Sequence, residues 1–310
     1  MTPMRVFITG ATGLIGRNLT SALVAAGHGV LCISRDAARG RDLLPPQVEV
    51  IEAEPAQPGH WQERVGQCDA VVNLAGSPVA SGRWTRSRRR VIRSSRLATT
   101  AHLAAALSGV EHPVTFISAS AVGYYGDAGE TAVGENDQPG NDFLARLAVE
   151  WEHTALQAES DFVRCVRLRI GVVLAPDGGV LDRMVPLYRR GLGGPLGSGK
   201  QYLPWIHIAD MMGAIQFILE QPEMVGPVNA SVPDPCRQRE FAQTLGRVLG
   251  KPAVLPAPAM VLRLVLGQMA EMVLNGQRVV PKALRSAGYR FRFPELEPAL
   301  RDVLGCEDPA

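Results

Sequence analysis

Lysine is nearly missing from this 310-residue chain: Lys200, Lys251 and Lys282 are the only ones, and arginine supplies the rest of the positive charge. Thirty-two basic residues face thirty acidic ones, so there is no cationic excess of the kind a nucleic-acid-binding domain carries, and no nucleic-acid partner is expected. Cysteine is sparse too. Cys32, Cys68, Cys165, Cys236 and Cys306 are odd in number and far apart, with no C-x-x-C and no Cys/His cluster of zinc spacing. That excludes a disulfide scaffold and a structural zinc site, leaves no metal ligand set, and fits a reducing cytosol. No apolar run approaches the roughly 18 residues of a membrane span. No basic segment or small-residue cleavage site precedes the first apolar stretch, so a cytoplasmic protein with no export signal and no membrane partner is expected.

What is present is a core-forming chain, 46% hydrophobic, with a two-beat rhythm. Short β-branched runs ("RVFIT", "GVLCIS", "VEVIEA", "DAVVNLAG", "PVTFISAS", "FVRCVRLRIGVVL") alternate with amphipathic stretches, including long helical patterns from about Thr85 to Leu107 and Asp142 to Glu159. Near-continuous apolar strands separated by helices predict an α/β fold, a Rossmann-type doubly wound parallel sheet covered on both faces. The rhythm loosens after residue 175. Residues 1–175 are therefore read as a dinucleotide-binding domain and 176–310 as a smaller substrate lobe, with a helix at about 208–221 and a strand at about 227–231 returning to the first domain.

The first strand runs into "GATGLIG", which sets Gly10, Gly13 and Gly16 in a turn that opens a helix. Glycine there lets the backbone turn tightly and approach a pyrophosphate, whose charge then sits at the positive helix end. The expected contacts in this turn are Gly10, Thr12, Gly13, Leu14, Ile15 and Gly16. The second strand ends at Ser34-Arg35, where an NAD-binding domain places an acid for the ribose; a hydroxyl and a guanidinium suit a 2′-phosphate, so NADP(H) is the expected cofactor. Asp36 follows directly and leaves NAD open. Leu74, Ala75 and Gly76, at the carboxyl end of the fourth strand, let backbone lie along the adenine ribose and the nicotinamide side. Arg83, Arg86, Arg88, Arg89, Arg90, Arg93 and Arg96 crowd the next segment, most as a solvated face. Arg96 is the one expected at the cofactor.

"SASAVGYYG" follows the fifth strand, the position that faces the nicotinamide side of such a crevice. Ser118 and Ser120 are candidates to orient a ligand or cofactor, and Tyr124 or Tyr125 to supply a hydroxyl to the chemistry. "WIHIAD" reads as structural, with His207 hydrogen-bonded and Asp210 an acid at a helix start. The glycine-rich "GLGGPLGSGKQ" lacks the context of a P-loop and reads as a substrate-side loop.

Together these pieces resemble an extended short-chain dehydrogenase/reductase of the sugar-nucleotide epimerase superfamily. More narrowly, "LAGSPVASGRWT", "FISASAVGYYG", "DFLARLAVEWE", "RIGVVLAPDGG" and "GLGGPLGSGKQYLPWIHIAD" resemble the atypical SDR39U-type epimerase family proteins, and about 248–304 resembles that family's C-terminal domain of unknown function. The resemblance implies NADP binding and a Ser at position 120 that orients substrate. It also implies a Tyr-x-x-x-Lys pair on the following helix, where this chain has Phe143 and Leu147, neither able to transfer a proton. Extended relatives pair through the two long helices, which makes a homodimer an expectation. Two functions follow: an NADP(H)-dependent oxidoreductase or epimerase-like enzyme on a small polar carbonyl or hydroxyl substrate, with an unorthodox proton donor; or a non-catalytic NADP(H)-binding regulatory or interaction protein, related to cell division.

Overall fold

The computed structural model describes residues 2–306. Its centre is a seven-stranded sheet of β1 (Arg5–Thr9), β2 (Gly29–Ser34), β3 (Glu49–Glu52), β4 (Ala70–Asn73), β5 (Val114–Ala121), β6 (Val163–Ile170) and β7 (Gly226–Ala230). They lie in the order β7-β6-β5-β4-β1-β2-β3, and every neighbouring pair is parallel. Strand order reverses between β1 and β4, so their carboxyl ends splay apart and open a crevice.

The apolar runs form strands because both faces of the sheet are covered. Val6, Phe7 and Ile8 are all fully buried, yet they alternate in direction: Val6 and Ile8 join Leu19, Leu23 and Ile215 on one face, and Phe7 joins Trp61, Leu103 and Phe116 on the other. The first face is covered by helix α1 (Leu14–Ala25) and the second by α3 (Trp61–Val65), with α2 (Ala37–Leu43) linking β2 to β3. Helices α4 (Arg86–Leu107) and α5 (Phe143–Leu156) also cover the second face. Both are started by a side chain: Thr85 Oγ1 accepts the Arg88 N–H at 3.1 Å and Asp142 Oδ1 the Ala145 N–H at 2.8 Å.

Beyond the sheet follow α6 (Leu181–Arg189), α7 (Ile208–Glu220), α8 (Gln238–Val248) and α9 (Ala259–Leu266). Helix α7 packs on the α1 face and β7 closes the sheet beside β6. Helices α6 and α8 and the C-terminal tail gather round a second core of Tyr188, Trp205, Phe241, Leu245, Leu300 and Val303. Its tail is sewn on by Asp210, which is buried and accepts the N–H groups of Arg292 at 2.6 Å and Phe293 at 2.9 Å. His207 caps α7 by accepting the Ala209 N–H, and its other nitrogen lies 3.1 Å from Asp302 Oδ2. Both residues therefore hold the lobe together and lie outside the crevice lining.

Candidate functional site

A cleft of about 870 Å³ runs along the carboxyl ends of β1, β4, β5 and β6. One wall is the glycine turn, the floor is Ala119 to Gly123, and the far wall comes from the smaller lobe, with Tyr202, Leu203 and Pro204 joined by Glu271, Met272, Asn275 and Gln277. The pocket sits at the topological switch point, where ligands of open α/β sheets bind.

The glycine turn fits a dinucleotide pyrophosphate on steric grounds. Gly10 has φ +72°, and a Cβ there would lie 2.7 Å from the Leu74 carbonyl carbon; a Cβ on Gly16 would run into the Gly10 carbonyl oxygen. Helix α1 starts at Gly13 with no side-chain cap and no acid in its first turn, which leaves its leading N–H groups and dipole for an anion. Arg17 Nε, in that turn, is buried without a hydrogen-bond partner. Gly10, Gly13, Leu14, Ile15, Gly16, Leu74, Gly76 and Arg96 all line the cleft, whereas Thr12 and Ala75 do not. Arg96 is fixed by donation to Ser77 O at 2.9 Å and Ile92 O at 3.1 Å, above the Trp151 ring. Burial, with Arg88 nearby, lowers its pKa to about 10, so it remains a cation at neutral pH.

Ser34 and Arg35 stand at the end of β2, outside the cleft lining, with Arg35 exposed. Asp36, which the sequence leaves open as a ribose acceptor, follows directly and is exposed. Its carboxylate caps α2, Oδ1 accepting the Arg39 N–H at 2.9 Å.

The stretch after β5 divides in a way its sequence does not reveal. Ser118 is buried below the cleft, where its Oγ lies 3.4 Å from Asn73 Nδ2 among Thr9 and Thr100. Ser120 lines the cleft, and its hydroxyl donates to Glu152 Oε1 at 2.7 Å. Glu152 is in turn gripped by Arg169, Nε to Oε1 at 2.8 Å and Nη2 to Oε2 at 2.9 Å, a two-point pair in which both side chains are at least 95% buried. Neither partner was recognisable in advance: a Glu on a helix and an Arg on an apolar strand offer no signal beyond the oddity of "VRLRI" as a core strand.

Arg169 also decides the tyrosines. Its Nη1 donates to Tyr125 Oη at 2.9 Å, while Tyr125 Oη donates to Asn229 Oδ1 at 2.8 Å, and burial pushes that phenol up to about 12. The Tyr124 ring lies against the guanidinium, 3.5 Å from centroid to Cζ. Neither ring lines the cleft. The Tyr125 hydroxyl is thus held by Arg169 and Asn229, and the Tyr124 ring rests on the Arg169 guanidinium.

Of the two residues expected in place of the Tyr-x-x-x-Lys pair, Leu147 lines the cleft and Phe143 does not. Phe143 packs edge-on to Trp84 at 5.2 Å and under Arg89, away from the cleft, so it does not occupy the tyrosine's place. Leu144, Leu147, Ala148 and Trp151 are the residues of α5 that line the cleft, so two pairs four apart face it, Leu144/Ala148 and Leu147/Trp151. Neither pair holds a tyrosine or a lysine. Tyr202 is a cleft residue that sequence reading missed, and Arg237 lies over its ring at 4.7 Å.

This architecture is one that known proteins share. The model of the NAD dependent epimerase/dehydratase family matches residues 6–230, and a domain of unknown function, DUF1731, matches 257–303. The chain belongs to the NAD dependent epimerase/dehydratase family. Within that family it is 39% identical over 307 residues to the human epimerase family protein SDR39U1, covering 97% of this chain and all of that one. It is 38% identical over 306 residues to the Arabidopsis thaliana protein named as the chloroplastic SDR39U1 homolog, over 97% and 87% of the two chains. The crystal structure of human SDR39U1 with NADPH superposes with a TM-score of 0.86 at 36% identity, covering 97% of this chain and 99% of that one. A Bacillus cereus UDP-glucuronic acid 4-epimerase shares the epimerase-family fold at a TM-score of 0.78 and 19% identity, over 97% and 99%.

Proposed function

We propose that the protein is an NADPH-dependent oxidoreductase acting on a carbonyl or hydroxyl compound, with Ser120 as the group that meets the reacting oxygen. The observation that carries this reading is the state of Ser120: a hydroxyl on the cleft floor, two strands from the glycine turn, with its proton directed at Glu152. With that proton engaged, Ser120 Oγ has only lone pairs to offer, so toward a ligand it accepts. NADPH, when bound, supplies the hydride that distinguishes the reduced from the oxidised substrate.

The glycine turn and the first turn of α1 would hold the pyrophosphate, and Leu74 to Gly76 the ribose beside them. Ser34 and Arg35 would hold the 2′-phosphate, beside Asp36, whose Oδ1 caps α2. In the oxidative direction the substrate hydroxyl donates to Ser120 Oγ as the serine proton passes to the Glu152 carboxylate; in the reductive direction the protons retrace that path. Arg169 fixes Glu152 at two points, which sets the angle at which Ser120 presents itself. The lining sets apolar side chains such as Val122, Leu144, Leu203 and Met272 beside the polar Tyr202, Glu271, Asn275 and Gln277, which supports a small carbonyl or hydroxyl compound with further polar groups.

The test is a titration with NADPH and NADH, followed by NADPH absorbance across ketones, aldehydes and the matching alcohols. NADPH should bind clearly tighter, and Arg35→Ala should erase most of the difference. On any active compound Ser120→Ala should lower turnover by roughly a hundredfold and leave NADPH affinity nearly unchanged. Tight NADPH binding without turnover on any compound would replace this reading with a non-catalytic nucleotide-binding role.

A further inference from the structure

Charge and apolar exposure coincide on the smaller lobe. From residue 183 to 209, and again from 241 to 270, the sequence holds no aspartate or glutamate; the same stretches carry Arg183, Arg189, Arg190, Lys200, Arg247, Lys251 and Arg263. For a chain of net charge +2 this is a concentrated cationic region. The fold laces the two stretches together: Leu255 N–H donates to Gly193 O at 3.1 Å, Ala257 N–H to Pro195 O at 2.9 Å, and Gly197 N–H to Ala257 O at 2.9 Å. Among the described residues, Arg189, Arg190, Lys251 and Arg263 take part in no ion pair.

The same two laced stretches carry exposed apolar side chains. Leu187 and Leu192 come from the first stretch, and Val254, Met260, Leu264 and Val265 from the second; Met260 is 81% exposed, Leu264 75% and Val254 72%. Helix α9, "AMVLRLVL", has Arg263 as its sole polar side chain, yet none of its residues is buried. A helix apolar all round belongs against an apolar medium, and a contiguous patch of this kind marks an interaction surface.

We propose that this face seats the protein on an anionic lipid bilayer, with α9 lying in the headgroup boundary. Cations around an apolar helix supply the two signals that interfacial binding needs, electrostatic attraction and apolar insertion. A second copy of the chain would bring the same cations against each other, so self-association on this face is disfavoured by charge. Side chains exposed by seven-tenths or more protrude; they insert and do not receive. No described helix is long and apolar enough to cross a membrane, and a helix lying in the interface has no need to be.

The site connects to the cleft. Leu266, the last residue of α9, and Met269, just past it, pack with Trp84, Ile92 and Leu147, and the chain then lines the cleft at Glu271, Met272, Asn275 and Gln277. Arg83 Nη2 donates to the Leu264 carbonyl and ties the helix to the segment that precedes α4. Docking would hold the cleft mouth beside the lipid headgroups, whatever reaction the cleft supports.

The full chain is sedimented with vesicles of phosphatidylcholine alone and of phosphatidylcholine mixed equally with phosphatidylglycerol. Binding to the anionic vesicles should be at least roughly tenfold stronger and should fall with added salt. Met260→Asp/Leu264→Asp and Arg189→Glu/Arg190→Glu should each weaken it by roughly tenfold or more, with NADPH affinity retained as proof of folding. A Leu264→Trp variant should blue-shift its emission on anionic vesicles. The proposal is overturned if the anionic vesicles do not sediment the protein, or if either double variant binds as the parent does. It is equally overturned if the Leu264→Trp emission stays that of a water-exposed indole, or if a concentration-dependent dimer that Met260→Asp/Leu264→Asp abolishes appears in place of vesicle binding.

Discussion

Replacing Arg169 with methionine should cost roughly 4 kcal/mol of folding stability, within the range of about 3–5 kcal/mol for stranding one member of a buried ion pair. The geometry sets where in that range the value falls. Arg169 is 2% exposed and Glu152 5%, so a lone Glu152 would stay dehydrated. It keeps the Ser120 hydroxyl at 2.7 Å and Arg167 Nη1 at 3.9 Å, the latter a partial replacement counter-charge that moderates the loss. Against this, the Glu135 carbonyl and Tyr125 Oη each lose the Arg169 donor, at 3.0 and 2.9 Å, worth about 1 kcal/mol apiece. Urea unfolding followed by tryptophan fluorescence at neutral pH reads the change as a lower midpoint at constant slope. The decisive comparison is Arg169→Met/Glu152→Leu, which removes both charges and should recover most of the lost stability. A single variant that loses less than about 1 kcal/mol, or a double variant no more stable than the single, would refute the claim that this pair is desolvated and mutually dependent.

Gly16→Ala should abolish NADPH binding measured by fluorescence titration, because its Cβ would collide with the Gly10 carbonyl and push the turn out of shape; retained affinity would show that the turn does not hold the pyrophosphate. Leu144→Tyr/Ala148→Lys should place a phenol and an ammonium in the cleft, visible in a structure of the variant with NADP, whereas Phe143→Tyr should stack its ring on Trp84 and leave the cleft unchanged. His207 has its pKa lowered by burial, with Asp302 and Asp210 pulling the other way. The unfolded chain therefore binds the proton more readily, and stability should decline as pH falls from about 6.5 toward the depressed native value. His207→Asn should flatten that acid limb in urea midpoints measured against pH; an unchanged limb would assign it to other groups.

The sequence by itself determined the features whose parts lie close together along the chain. The first strand, the glycine turn and helix α1 span Arg5 to Ala25, and their geometry follows from local rules: β-branched residues extend, Gly10 takes φ +72°, and a helix begins where the backbone has been freed of side chains. Both long helices could likewise be placed from their period and their Thr85 and Asp142 caps. Tertiary structure decided which way the side chains after β5 point. Ser118 and Ser120 look equivalent in the sequence, but one lies under Asn73 and the other meets Glu152, 32 residues on. Tyr125 is turned by Asn229, 104 residues away, and by Arg169, a cation whose burial no local pattern announces. Helical phase separated Phe143 from Leu144: one residue is 100° of rotation, enough to put the first on Trp84 and the second in the cleft. The far wall of the cleft needed Glu271 to Gln277 to fold back across the sheet ends. Long-range packing and desolvation chose these outcomes, and neither has a signature in the spacing of residues along the chain.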